Sequence, residues 1–526
     1  MDNYVLSGRE SLGVEFGSTR IKAVLVDENC NPIASGGHTW ENRLENGYWT
    51  YHMEDVWAGL QDAYAKLNEE VFAKFGAKIT KLASVGISAM MHGYLPFDEN
   101  GELLAGFRTW RNTTTGDAAA KLTSLFDFNI PQRWSISHLY QAILNGEEHV
   151  GRISHLTTLA GYVHQKLSGV KALGVGEASG MFPIDSKTGT YNAEMLDKFA
   201  ALDDVKKYAW NIRDILPKVL TAGENAGTLT AEGALLLDPS GALEAGAVMC
   251  PPEGDAGTGM VATNSVCVKT GNVSAGTSIF SMVVLEDQLS KVYEEIDMVT
   301  TPAGMPVAMV HCNNCCTDLD YWVGLFCEFA KASGSELSKP QIYDLLYAKA
   351  LEGDADCGGV VNYNFFSGEP VAYVADGRPL FMRKQDSKFN LANFFRAQIY
   401  STMATLKMGM EILEKENVKI DCLMGHGGLF KTPVVGQKLM AGAMNTPVAV
   451  METAGEGGAW GIAVLARYCI DKNEGEALED YLNSRIFSRY KSSTIEPDAN
   501  DVKGFAEYMK LFKAGLAVEK AAVENI

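Results

Sequence analysis

Twice in this chain a glycine sits beside two hydroxyl residues in a short turn between apolar, β-like runs: Gly17-Ser18-Thr19 and Gly276-Thr277-Ser278. Around the first, Glu15 precedes the glycine and Lys22 follows in the next run. Glycine lets the backbone turn tightly and approach a ligand. Ser18 and Thr19 add hydroxyls to the exposed N–H groups, and Lys22 adds a cation, a set suited to phosphate. A plain hairpin turn, with Ser and Thr capping their own backbone, is the structural alternative. The recurrence favours phosphate, because two such turns facing one cleft hold the β- and γ-phosphates of a nucleotide from either side. No Gly-Lys dipeptide occurs in the chain, so a P-loop with its Gly-Lys-Ser/Thr ending is excluded.

A carboxylate placed for proton transfer is Asp255, in Pro251-Pro-Glu-Gly-Asp-Ala-Gly-Thr-Gly259. The small residues that follow, 256–262, predict a helix start, whose positive field favours an ionised carboxylate and suits a base that deprotonates a hydroxyl. A simple N-cap is the alternative, and the two roles are compatible. Glycines cluster at Gly425-His-Gly-Gly-Leu-Phe-Lys431 and again at 454–461, dense enough for a flat ring or a ribose to lie on the backbone; a tightly packed helix is the alternative for the second cluster. Ser88-Ala-Met-Met-His-Gly93 ends a predicted strand, where α/β sheets place ligand residues. Thr109-Trp-Arg-Asn-Thr-Thr114 combines an indole face, a guanidinium and hydroxyl or amide groups, the mixture a sugar needs. Cys312 and Cys315 have the spacing of half a zinc site, but no second pair follows, and buried thiols at a strand-to-helix corner are the better reading.

The elements that must position these residues follow from length and patterning. At 526 residues the chain exceeds one hydrophobic core, so two domains of similar size are expected. Strand-like runs (12–27, 82–88, 266–275) alternate with helical stretches such as 54–75, which predicts an α/β architecture. In the second half the longest helix is expected over 390–417, and 501–526 reads as one amphipathic packing helix. The repeated strand–turn–strand device marks a duplicated domain split near residue 265. A net charge of −20 argues against a nucleic-acid partner, since phosphate backbones are bound by basic faces. No run approaches a membrane span, and residues 1–10 lack the apolar stretch of a signal peptide. Ten scattered cysteines then predict reduced thiols and a cytoplasmic setting.

Taken in order, these motifs resemble the FGGY family of carbohydrate kinases, in the actin-like ATPase superfamily, over about residues 13–465. The family's first turn falls on Glu15, Gly17 to Thr19 and Lys22. The Gln-Met-His-Gly of xylulokinases matches Met91-His92-Gly93 in its last three residues. The Trp-Asn-Asp-Gly-Arg-Thr segment falls on Trp110 to Thr115, the Gly-Asp base on Gly254-Asp255, the second turn on Gly276 to Ser278, and the adenosine-binding Gly-Gly on Gly427-Gly428. The closing Gly-x-Ala-x-Gly-x-Ala is echoed at 457–463.

The resemblance implies two actin-like (ribonuclease H-like) ATPase domains flanking a central cleft, with ranges 1–265 for sugar, first turn and catalytic Asp, 266–490 for ATP, and a C-terminal helical extension over 491–526. It implies ATP and Mg²⁺ as cofactors, with Asp255 as base, Met91, His92, Gly93, Trp110, Arg111, Asn112 and Asp255 on the sugar, and Glu15 and Asp255 at the metal. ATP would meet Gly17, Ser18, Thr19, Lys22, Gly276, Thr277, Ser278, Asn313, Gly427, Gly428 and Leu429. The expected activity is ATP-dependent phosphorylation of a primary hydroxyl of a ketose, a pentulose such as xylulose or ribulose, or a related polyol. Alternatives are a deoxyhexulose kinase, a catalytically idle sugar- or ATP-binding regulator, or an ATPase that drives a conformational change. The only macromolecular partner this leaves open is a second copy of the chain. Glu15 replaces the usual Asp, which bears on the metal. Asn112 and Thr114 replace the usual Asp and Arg of the sugar wall, which leaves the sugar open.

Overall fold

The computed structural model describes residues 6–452 and 457–526 and divides into two compact units. Unit 1 comprises residues 1–266, 286–307 and 456–489, and unit 2 comprises 267–285, 308–455 and 490–526.

In unit 1, β1 (Ser11–Phe16), β2 (Arg20–Val26) and β3 (Pro32–Thr39) form an antiparallel meander. Helix α1 (Met53–Phe75) follows, its Val56, Leu60, Ala63 and Leu67 buried at helical spacing. It stops where Gly76 takes a left-handed conformation (φ 68°), open to glycine without a Cβ penalty, and returns its N–H to Phe72 O. β4 (Ser84–Ala89) pairs parallel to β1, and the short β5 (Val248–Met249) and β6 (Glu253–Gly254) pair parallel to β4. The strand order is therefore β5-β4-β1-β2-β3. β6 feeds directly into α2 (Asp255–Ala262). β4 is buried on both faces, as a central parallel strand should be.

Unit 2 repeats this plan. β7 (Thr270–Ala275) and β8 (Ile279–Val284) pair antiparallel around the second turn, β9 (Pro306–Cys312) lies beyond β8, and β10 (Cys422–Gly427) pairs parallel to β7. β11 (Val448–Met451) and β12 (Ser492–Ile495) extend it to the order β9-β8-β7-β10-β11-β12 within a sheet of seven strands. Its helices include α3 (Thr317–Ala332), α4 (Leu391–Lys415) and α5 (Ala499–Asn525). At 27 residues α5 exceeds the 25 of α4, so the longest helix is the tail and not 390–417. The stretch 266–269 precedes β7 rather than belonging to a strand.

The two units interleave along the chain, which departs from the expected consecutive ranges for a packing reason. Residues 286–307 return to unit 1, where Thr300 donates to Val175 O (3.0 Å) and Ile296 O accepts from the Asn129 amide (2.9 Å). The helix Gly457–Asp471 lies against β1, so close that a Cβ on Gly13 would meet Ala459 O at 2.1 Å. The terminal helix α5 is part of unit 2 and not an appendage. Its Asp501 pairs with the buried Arg396 of α4 (2.5 Å), and Phe512 stacks on Tyr363 (4.7 Å) while its carbonyl accepts the Tyr363 hydroxyl (2.7 Å).

Candidate active site

In unit 1 three strands end side by side: β1 runs into the Gly17 turn, β4 into Met90–Gly93, and β6 into Asp255. The Met90 N–H donates to Phe16 O (2.9 Å), tying the first two ends together. Such convergent carboxyl ends are where open α/β sheets place ligands.

The first turn is held from one side. Gly17 O accepts the Trp40 indole N–H (2.7 Å), Ser18 O accepts the Tyr51 hydroxyl (2.6 Å), and Thr19 O accepts the Trp40 backbone N–H (3.1 Å). In a trans peptide the N–H points opposite the carbonyl. The N–H groups of Ser18 and Thr19 therefore face away from Trp40 and Tyr51, as an anion nest requires. The second turn, in unit 2, follows the same logic. Gly276 O and Thr277 O accept the backbone N–H groups of Cys316 (3.0 Å) and Cys315 (2.9 Å), which turns the N–H groups of Thr277 and Ser278 outward. This gives the cysteine cluster a part: its backbone clamps the turn. Cys312 and Cys315 are buried, and among the described residues no group of three or more His, Cys, Asp or Glu is arranged to hold a metal.

Asp255 is the first residue of α2, with Gly254 as the N-cap, so it is not itself the cap. One carboxylate oxygen, Oδ1, accepts the N–H groups of Ala256 (2.9 Å) and Met91 (3.2 Å), which fixes the side chain. Desolvation outweighs those donors and raises its pKa from 3.8 to about 6. Glu15, raised to about 7, is desolvated in the same way. The charge of Asp255 adds to the rise, and Lys22 opposes it. Lys22 is the cross-strand partner of Glu15 on β2, so both side chains leave the same face of the sheet. Gly458 completes this corner, since a Cβ there would lie 2.3 Å from Glu15 Oε1 and 2.7 Å from Thr258 Oγ1. Gly458 and Gly461 thus serve close helix packing; residues 454–456 of that cluster lie outside the described residues.

Behind Asp255 lie two carboxyls that sequence reasoning missed. Glu253 is fully buried, accepts the N–H groups of Gly176 (3.3 Å) and Glu177 (2.9 Å), and is pushed up to about 8 by desolvation. Glu177 is also buried, close enough to Gly254 that a Cβ there would meet its Oε2 at 2.5 Å, and desolvation holds it well above the usual carboxylate range. Gly174-Val-Gly-Glu-Ala-Ser179, a strand running into a short helix, was the signal that could have drawn attention to them.

The expected sugar wall is partly rearranged. His92 sits in the left-handed region (φ 71°) and is 4% exposed. Its Nδ1–H donates to Gly180 O (3.1 Å) and its Nε2 accepts Arg133 Nε–H (3.2 Å), so both ring nitrogens already bond protein. Asn112 is buried, its amide protons on the carbonyls of Trp49 (2.9 Å) and Thr109 (3.0 Å), which makes it a loop tie instead of a sugar donor. Arg111 is exposed and lies over the Trp49 ring at 3.9 Å. Trp110 is half-buried with its indole N–H on Ser18 Oγ (3.2 Å), which links the wall to the first turn. Gly93 (φ 110°) offers its carbonyl to the Ser135 hydroxyl. The planar cation beside Met91 and His92 is Arg133, unmarked in the sequence reading. Its Nε holds His92, one terminal nitrogen pairs with Asp297, and desolvation lowers it to about 10.

In unit 2, Gly427 pairs with Ala275 across β10 and β7, so the glycine cluster emerges beside the second turn. Gly427 adopts φ 98°, and a Cβ on it would lie 2.4 Å from Ala275 O. Gly427 and Gly428 are exposed, whereas the Leu429 side chain is fully buried and can offer a nucleotide only its backbone. Asn313 is exposed, with its amide on Gly368 O (2.7 Å). Beside it the buried Glu369, raised to about 7 by desolvation, accepts the N–H groups of Asn313 and Asn314.

Two repeated sheets, each opening on a Gly-hydroxyl turn, define a duplicated α/β fold with two candidate anion-binding turns. The models of the FGGY family of carbohydrate kinases match residues 11–238 (N-terminal domain) and 271–469 (C-terminal domain), and the chain belongs to that family of ATP-dependent sugar kinases. A xylulose kinase from Haemophilus influenzae is 21% identical over 513 residues, covering 94% of this chain and 97% of that protein. Among solved structures, a xylulose kinase from Rhodospirillum rubrum aligns with a TM-score of 0.78 at 16% identity (98% of this chain, 100% of the other). A gluconate kinase from Lactobacillus acidophilus aligns at 0.77 and 17% (98% and 99%). Among the described residues no helix is long and apolar enough to cross a membrane.

Proposed function

We propose that this kinase phosphorylates a primary hydroxyl of a ketose, with a pentulose such as xylulose or ribulose the first choice, in the cytoplasm. The observation that carries the reading is Asp255: a carboxylate held by two backbone donors at the start of a helix, with a pKa of about 6. At neutral pH it is ionised yet basic enough to accept a hydroxyl proton, which is the match a general base needs. The sugar would lie against Trp110 and Met91, oriented by Arg133 and by the backbone of Gly93. The xylulose kinase similarity supports a ketose, and the gluconate kinase likeness keeps aldonic acids in view.

As the hydroxyl attacks, Asp255 takes its proton while charge builds on the transferring phosphoryl oxygens. The outward N–H groups of the Gly17 turn and the Lys22 ammonium would offset that charge, so the chemistry is mainly positioning and electrostatics. Glu15 and Asp255 fit Mg²⁺: two neighbouring carboxylates, one raised by the other's charge, are what a hard cation held also by phosphate oxygens requires. When bound, it would neutralise phosphate charge. ATP would reach Gly276 to Ser278, Asn313, Gly427, Gly428 and the Leu429 backbone.

The test is ADP release, with identification of the phosphorylated carbon, across pentuloses, hexuloses, deoxyhexuloses, polyols and aldonic acids. A pentulose with kcat/KM well above the rest supports the assignment; a polyol or aldonate in that place overturns it. ADP release that no sugar stimulates removes sugar kinase activity itself.

A further inference from the structure

The connection from β9 to α3, residues 313–316, ends in two adjacent thiols. Cys315 Sγ and Cys316 Sγ lie 3.5 Å apart. Cys315 is buried, and Cys316 is half-buried at the N-cap of α3, where its side chain makes no capping hydrogen bond. Their backbones clamp the second turn: Cys315 N–H donates to Thr277 O (2.9 Å) and Cys316 N–H donates to Gly276 O (3.0 Å). The Cys316 N–H belongs to the peptide that joins the two cysteines. The carbonyl of that same peptide, Cys315 O, accepts the Asn364 amide (2.8 Å). A reaction that ties the two sulfurs together therefore acts on a group that shapes the turn.

We propose that Cys315 and Cys316 form a redox site that hydrogen peroxide closes to a vicinal disulfide, loosening the second turn and weakening ATP binding. The effect on ATP rests on the reading that Gly276 to Ser278 meet its phosphates; the disulfide itself does not. Desolvation holds the Cys315 thiol well above its ordinary range, so the half-buried Cys316 reacts first. Its sulfur attacks one peroxide oxygen: an S–O bond forms, the O–O bond breaks, and the other oxygen leaves as water with the thiol proton. The Cys315 sulfur then attacks the Cys316 sulfur. An S–S bond forms, the S–O bond breaks, and the hydroxyl leaves as a second water with the Cys315 proton. Each sulfur is oxidised by one electron and both peroxide oxygens are reduced. A separation of 3.5 Å already places the second pair of reacting atoms at near-attack distance. Closure has a structural cost. Ordinary disulfides span Cα atoms about 4.4–6.8 Å apart, whereas a trans peptide holds neighbouring Cα atoms about 3.8 Å apart. The 315–316 peptide must twist, and its N–H then leaves Gly276 O. A bridge strained in this way is readily reduced, which makes the site reversible.

Mass spectrometry and nucleotide titration of the full chain, before and after a small excess of hydrogen peroxide, test this. Trypsin leaves Cys312, Cys315, Cys316 and Cys327 together on residues 292–331, and that peptide should lose two hydrogens. The Kd for a non-hydrolysable ATP analogue should rise about fivefold or more, the scale of one lost backbone hydrogen bond, and dithiothreitol should restore it. Cys316→Ser and Cys315→Ala keep the backbone N–H groups and remove one sulfur. Each, compared with itself before and after peroxide, should lose both responses, whereas Cys312→Ala and Cys327→Ser should keep both. Circular dichroism checks folding, and the half-buried Cys316→Ser decides if Cys315→Ala does not fold. Gly276→Ala, whose methyl would meet nothing within 4 Å in the fold, tests the turn separately through its own effect on the analogue. A peptide that loses no hydrogens, a loss that survives Cys316→Ser, or one abolished by Cys312→Ala would overturn the proposal. A disulfide that leaves the analogue's Kd unchanged overturns it too. If Gly276→Ala still weakens the analogue in that case, the switch alone fails; if it does not, the phosphate reading of the second turn falls with it.

Discussion

Replacing Asp255 by Asn separates its chemical role from its structural one. The Oδ1 atom that accepts the Met91 and Ala256 N–H groups exists in both side chains, so the loop and the start of α2 should persist. What disappears is the basic oxygen. Loss of a general base costs about 10²–10⁴-fold, or about 3–5 kcal/mol on the barrier. Stability should move the other way. Asp255 is raised from 3.8 to about 6, so the folded chain holds this proton more tightly than the unfolded chain does. As pH rises through that window the unfolded chain ionises first, and stability is lost. The penalty is complete above about pH 6 and absent below about 4. A shift of about two units corresponds to at most about 3 kcal/mol, and less here because the side chain is partly exposed. Asp255→Asn should therefore melt at or above the wild-type temperature at pH 8, with the gain vanishing near pH 4. A coupled ADP assay and thermal melts at both pH values measure the two effects. A correctly folded variant that keeps turnover within tenfold of wild type, or melts well below it at pH 8, refutes the reasoning.

Wild-type kcat/KM should fall as pH drops through about 6, where Asp255 takes up its proton; a rate flat down to pH 5 would remove it as the base. Glu15→Gln should raise the Mg²⁺ concentration needed for half-maximal rate, with Glu15→Asp closer to wild type; an unchanged Mg²⁺ profile would leave Glu15 as part of the turn alone. Arg133→Lys should raise the KM for sugar about tenfold or more at little cost to the KM for ATP, because an ammonium cannot hold His92, Asp297 and a sugar in one plane. Equal effects on both KM values would point to unfolding instead. Gly427→Ala should impair ATP binding through its φ of 98° and its 2.4 Å approach to Ala275 O, while Gly428→Ala, with 3.8 Å of room in the fold, should leave folding unchanged and act on ATP affinity alone. Titration with an ATP analogue measures both.

Much of the site was legible because it is local. A glycine beside hydroxyls between two β-branched runs is a turn whatever surrounds it, and Gly17–Thr19 and Gly276–Ser278 fall where their neighbours predict. The same holds for Asp255 at the start of a helix of small residues, since helix ends are decided by a few adjacent positions. The order of these pieces was enough to point to the family and to a duplicated α/β plan. Tertiary structure alone decided which of the candidate side chains already bond other parts of the protein. Arg133 and Asp297 are 164 positions apart, and Glu253 meets the N–H of Glu177 across 76. His92 and Asn112 have the right chemistry for a sugar, yet their polar atoms are committed to Gly180, Arg133, Trp49 and Thr109. Interleaving of the units is equally invisible along the chain, because the close approach of Gly13 to Ala459 is a contact between segments more than 400 residues apart. Sequence pattern specifies turns, caps and buried faces, whose energies depend on near neighbours. Which polar groups remain unpaired depends on distant segments packing together, and only the folded chain contains that information.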